Sequence, residues 1–161
     1  MNTNFNLELL LREMYEVMSE LSLVLDTEYD ALKNYDVDNL QIAASQKEEL
    51  SEKIKQLELS RTDILNSHQL GNDLAAMQNL ILQFSDTENS QLYKIWNMIS
   101  ELAIECSEKN MLNGCIIETN RRHTDLAISV LQGNFPQDQT ELYDSEGSTI
   151  SNRKNSTIAK A

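Results

Sequence analysis

A chain of 161 residues has room for one domain, and its 13 basic against 26 acidic side chains leave a net charge of −13 that repels phosphate backbones and anionic bilayers, which excludes nucleic acid as a partner. At 40% hydrophobic and 6% aromatic it is lean for a compact sandwich but sufficient for a long helical assembly. No apolar run approaches the roughly 20 residues of a membrane span, and "MNTNFNLELLLREM" lacks the basic n-region of a secretory signal, so direct membrane insertion is excluded and a cytoplasmic location is expected.

Four Gly and one Pro punctuate long stretches of Leu, Glu, Gln, Lys and Met, which predicts an all-α fold. From Leu7 the a and d positions of a heptad read Leu7, Leu10, Met14, Val17, Leu21, Val24, Glu28, Ala31 and Tyr35, and the residue after each d reads Leu11, Met18, Leu25 and Leu32. That three-in-seven stripe is wide enough to face two neighbouring helices.

The segment "NYDVDN" at 34–39 breaks the first helix, and a second heptad follows as Leu40, Ala43, Lys47, Leu50, Ile54, Leu57, Arg61 and Ile64. So short a connection predicts an antiparallel hairpin over 5–68. With the turn placed near 37 and 38, facing residue numbers sum to about 75, setting Leu21 against Ile54, Leu25 against Leu50 and Glu28 against Lys47. The one acid in the first stripe thus meets a base in the second, a pair that specifies register.

The second helix is expected to stop around "SHQLGND", with Gly71 available as its cap. Leu74, Met77, Ile81 and Phe84 predict a linking helix over 72–84, and Ser85 with Glu88 forms a capping-box pattern before a long helix over 86–131. One face of that helix carries Leu92, Ile95, Trp96, Ile99, Leu102, Ala103 and Cys106, so three long helices close a core.

Past Cys106 the stripe becomes intermittent, running through Lys109, Asn110, Asn113, Ile116, Ile117, Asn120, His123, Ala127, Val130 and Leu131. A helix of about 30 residues is about 45 Å long and one of about 45 residues about 65 Å, so the hairpin is too short to cover the last third. Residues 117–131 are expected to overhang and to fray or find a partner. Asn113-Gly114 is normally a turn signal, but here it reads as a weak point within a helix. The bundle is therefore expected to span 1–131, and 132–161, which lose periodicity and collect Gly, Pro, Ser, Thr and Asn, are expected to be a disordered tail.

Cys106 and Cys115 stand nine residues apart, on opposite sides of a continuous helix, so no disulfide joins them and burial is the expected state of both. A di-iron site needs two Glu-x-x-His pairs, but Leu65 and Asn120 stand where His68 and His123 would need Glu. With no HExxH, phosphate-cradling loop or GxSxG elbow, the expectation is no catalytic residue, no metal site, no cofactor and no enzyme. The candidate partner-binding residues are the apolar Ile116, Ile117, Leu126, Val130 and Leu131 of the overhang, with Arg121 and Arg122, which stand out in so acidic a chain although a solvated face is their commoner explanation.

Trp96 lies seventeen residues before Asn113-Gly114, followed by "NGCIIE", "NRRHTDLAISVL" and the tail element "LYDSEG". With the acidic N-terminal hairpin, these features resemble the FlgN family of flagellar export chaperones, whose tail motif has Gly where Asp144 stands here. The resemblance implies a non-enzymatic cytoplasmic chaperone of the flagellar type III secretion system that holds hook–filament junction proteins and delivers them to the cytoplasmic domain of the export-gate membrane protein. It further implies that Tyr143 docks to that gate. Two other classes remain open, a helical adaptor unrelated to secretion and a self-associating coiled-coil structural protein.

Overall fold

The computed structural model of the chain describes residues 3–84, 90–133, 142–143 and 149–150, with side chains from 6 to 84 and from 90 to 133. It is all-α apart from one short ladder: α1 (Thr3–Asn34), α2 (Val37–Ser67), α3 (Leu74–Phe84), α4 (Gln91–Leu131), β1 (Leu142–Tyr143) and β2 (Thr149–Ile150). Two compact units divide the chain, Met1–Thr119 and Asn120–Ala161.

In the first unit α1 and α2 form the expected hairpin, turning at Tyr35 and Asp36 rather than at 37 and 38. Tyr35 takes the left-handed region at φ 56°, and the Asp36 carboxylate accepts the Asn39 backbone N–H at 3.1 Å, so the second helix starts as soon as the first has stopped. Leaving the helix there also takes Tyr35 out of the seam, and its ring is exposed. The rest of the stripe turns inward as its period dictates: Leu7, Leu10, Leu11, Val24, Leu25, Glu28, Ala31 and Leu32 are buried and Met14, Val17, Met18 and Leu21 half-buried on α1, with Ala43, Leu50, Arg61 and Leu65 buried on α2.

Gln69 at φ 58°, not Gly71, takes the left-handed position that ends α2, with the Leu70 N–H donating to the Leu65 carbonyl at 3.0 Å. The α3 helix starts two residues later than expected because Asp73 is its cap, accepting the Ala76 N–H at 2.6 Å. Its buried face is Ala76, Met77, Leu80 and Ile81, while Leu74 at its first turn is exposed. Arg61 on α2 joins these pieces, donating to Glu58 and, at 3.1 Å, to the Asn72 carbonyl.

Ser90, whose hydroxyl accepts the Tyr93 N–H at 3.2 Å, starts α4 at Gln91 instead of residue 86. The capping box of Ser85 and Glu88 lies outside the described residues. The main core gathers Leu7, Leu11, Leu65, the α3 face, Leu92, Trp96 and Ile99, and a second cluster of Val24, Ala43 and Leu50 lies nearer the hairpin turn. Partners on α1 and α4 differ by 83 to 88 residues in sequence, so α4 runs parallel to α1.

The second unit contains the last part of α4, which ends where Gly133 at φ 77° donates to the Val130 carbonyl at 3.0 Å. In the segment expected to be a tail, Leu142 pairs with Ile150 and Tyr143 with Thr149 in an antiparallel ladder, and the remaining residues after 133 lie outside the described residues.

Candidate functional site

Asn113-Gly114 is helical throughout, inside α4. Far from marking a point of poor contact, Asn113 is 1% exposed, and its amide donates to the Leu25 carbonyl at 2.9 Å and to Glu28 Oε2 at 2.8 Å. Glu28, on α1, accepts Lys47 Nζ from α2 on its other oxygen at 2.6 Å, the pairing set by the hairpin register. Lys47 also reaches Asn110 Oδ1 at 3.3 Å, so one carboxylate joins three helices. The hairpin register read from the sequence placed Glu28 with Lys47; the third member was missed because an Asn-Gly dipeptide carries the same letters whether its amide is solvated or buried.

One turn earlier on α4, Lys109 Nζ lies 2.8 Å from both Ser22 Oγ and Asp26 Oδ2 on α1 and 2.7 Å from Glu105 on its own helix. Burial works to lower the Lys109 pKa, but the hydrogen bonds to Asp26 and Glu105 outweigh it and raise the value. Hydrogen bonds from Lys109 and then Ser22 hold Glu105 below the usual carboxylate range. Cys106 is buried as expected, with its thiol against the Met18 carbonyl at 3.6 Å, and desolvation pushes its pKa up. Cys115, about two and a half turns further along and so on the opposite side of the helix, is exposed instead of buried, and both thiols are free. Between α2 and α4 an open groove of about 350 Å³, floored by Leu21, Leu25 and Ile54, runs alongside this polar cluster.

Among the residues predicted to meet a partner, Ile116 and Ile117 belong to the first unit, Ile116 half-buried and Ile117 exposed. In the second unit Leu126 is 54% and Leu131 87% exposed, and Val130 is exposed as well. Leu126 and Val130, four apart, share one face, whereas Leu131 falls on another with Ile128, an exposed residue missed by the sequence reading although its i, i+3 spacing to Leu131 was a signal. The predicted set is therefore not one stripe: exposed apolar side chains wrap around this part of the helix. Arg121 pairs with Asp125 at 2.9 Å along the helix surface, and Arg122 is exposed. Tyr143 is the second residue of β1.

Among the described residues no helix is long and apolar enough to cross a membrane, and no three His, Cys, Asp or Glu side chains are placed to hold a metal ion. A family model described as "FlgN protein" matches residues 1–150, and no curated protein and no solved structure matches the chain.

Proposed function

The chain belongs to the FlgN family of flagellar export chaperones, and from that premise we propose that it holds hook–filament junction proteins in the cytoplasm through the distal part of α4 and passes them to the cytoplasmic domain of the export-gate membrane protein. One observation carries the holding step: Leu126, Ile128, Val130 and Leu131 are all exposed within six residues of helix. A short helical segment that leaves its apolar groups in water gains by packing them on an amphipathic partner helix. Ile116 and Ile117 of the first unit, and Arg121 and Arg122 of the second, are further client-contact residues in this reading. Tyr143 is the gate-docking residue in this reading, which separates delivery from holding along the chain.

The test of the holding step is the double variant Ile117→Ser, Leu131→Ser. It weakens the complex with a purified junction protein, read by isothermal titration, and leaves the melt of the bundle within about 0.5 kcal/mol of wild type, as expected for exposed positions. Undiminished binding overturns the assignment. So does a collapsed bundle, because those side chains then belong to the core.

A further inference from the structure

The grip of α4 on the hairpin changes in kind along the first unit. From Leu92 to Ile99 it is apolar, with Leu92, Trp96 and Ile99 sunk into the core that contains Leu7, Leu11 and the α3 face. Beyond Cys106 the only fully buried side chain of α4 among the described residues is Asn113, while Met111 and Leu112 face solvent. The ties there are polar: Lys109 to Ser22 and Asp26, Asn110 to Lys47, and Asn113 to Leu25 and Glu28. On the α2 side the packing stops at the open groove.

We propose that Cys106–Thr119 is a detachable stretch of α4, fastened to the hairpin by a polar catch at Lys109 and Asn113 that opens while the Trp96 core stays closed. The arrangement of charges favours such an opening. When a buried ion pair is split, the stranded charge resists, but here neither principal charge is stranded. Glu28 keeps Lys47, because both belong to the hairpin, and Lys109 keeps Glu105, because both belong to α4. Asp26, which loses Lys109, is already more than half exposed and takes up water. Asn113 Oδ1 is buried without a hydrogen-bond partner among the described residues when the catch is closed, so opening hydrates an atom that closure leaves unsatisfied. Gly114 follows directly, with open space where a Cβ would stand, and supplies a soft point of the helix at the catch. Opening uncovers the Leu25 carbonyl, to which the Asn113 amide donates in the closed state.

The two thiols report the motion in the full-length protein without any client. Cys115 reacts freely with a small thiol reagent and serves as the reference, whereas Cys106, 5% exposed, reacts only when its part of α4 lifts. In the wild type, labelling of Cys106 depends on urea much more weakly than the Trp96 fluorescence that follows global unfolding. Asn113→Asp sets a second carboxylate against Glu28 and is expected to speed Cys106 labelling at least tenfold with the Trp96 transition still cooperative. Asp26→Asn, at an exposed position that folds readily, speeds it about threefold. Replacing Glu28, Lys47 and Asn113 together by Leu slows it, since an apolar seam has no such catch. Cys106 labelling that follows the Trp96 transition in wild type, or that is unchanged in both Asn113→Asp and Asp26→Asn, overturns the proposal.

Discussion

Asp36 is the residue on which the hairpin turn depends, because only two residues separate α1 from α2 and it must start the second helix at once. Hydrogen bonds from the Asn39 backbone N–H and then the Asn39 amide hold its carboxyl below the usual aspartate value. A folded-state pKa below the unfolded one means that the carboxylate stabilises the fold above the unfolded value, near 4, and that this contribution is lost as pH falls through the folded value. Asp36→Ala is therefore expected to lower the melting temperature at neutral pH, with the gap from wild type narrowing as the solution is acidified below about pH 4. Parallel melts of both proteins between neutral and acid pH check this, and a gap independent of pH removes the charge from the explanation. Residues of this kind were half legible in the sequence. The break at 34–39 was visible in its Asp and Asn content, yet which Asp would cap, and that Tyr35 would turn left-handed, depended on where the backbone of α1 ran out of neighbours.

Helices and their faces were the most legible scale. The heptads of α1 and α2 assigned the seam nearly residue by residue, because a 3.6-residue period leaves α1 only one face able to bury Leu7, Leu11 and Leu25 and α2 only one able to bury Ala43, Leu50 and Leu65. Helix starts were read less well: Asp73 and Ser90 cap α3 and α4 through single side-chain contacts that several nearby polar residues could have made equally. The Asn-Gly pair is the sharpest case of a local signal overridden by tertiary contact, since the burial of Asn113 on Glu28 holds helical a dipeptide that favours turns. Its neighbour then offers a clean test. Gly114 is helical without positive φ, and a Cβ there meets nothing within 4 Å, so Gly114→Ala is expected to stabilise the bundle by about 0.5–1 kcal/mol through the lower entropy of its unfolded chain. The urea midpoint rises while the slope of the transition stays fixed. A fall in the midpoint means that the helix needs glycine at this position.

At the scale of the whole molecule, the sequence placed the candidate contact residues beyond the last well-patterned part of α4; Ile117, Leu126, Val130 and Leu131 are exposed and Ile116 is half-buried, and Ile128 and the wrap-around distribution followed from no single stripe. Asn113 and Lys109 escaped for a related reason: polar residues at seam positions read as interruptions until their partners on α1 are known. Holding and delivery, as proposed, use different parts of the chain, α4 for the client and Tyr143 in β1 for the export gate. Such a division makes the two steps separable by mutation, because Tyr143 belongs to β1 and the residues proposed to hold the client belong to α4. An aromatic side chain seated in a partner's pocket commonly contributes enough that its removal weakens binding about tenfold or more. Tyr143→Ala is accordingly expected to bind a junction protein as wild type does and to bind the cytoplasmic domain of the gate protein at least about tenfold more weakly. Titrating that purified domain against wild type and variant, each loaded with client, decides the matter. Equal dissociation constants refute gate docking by Tyr143, and loss of client from the variant refutes the separation of the two steps.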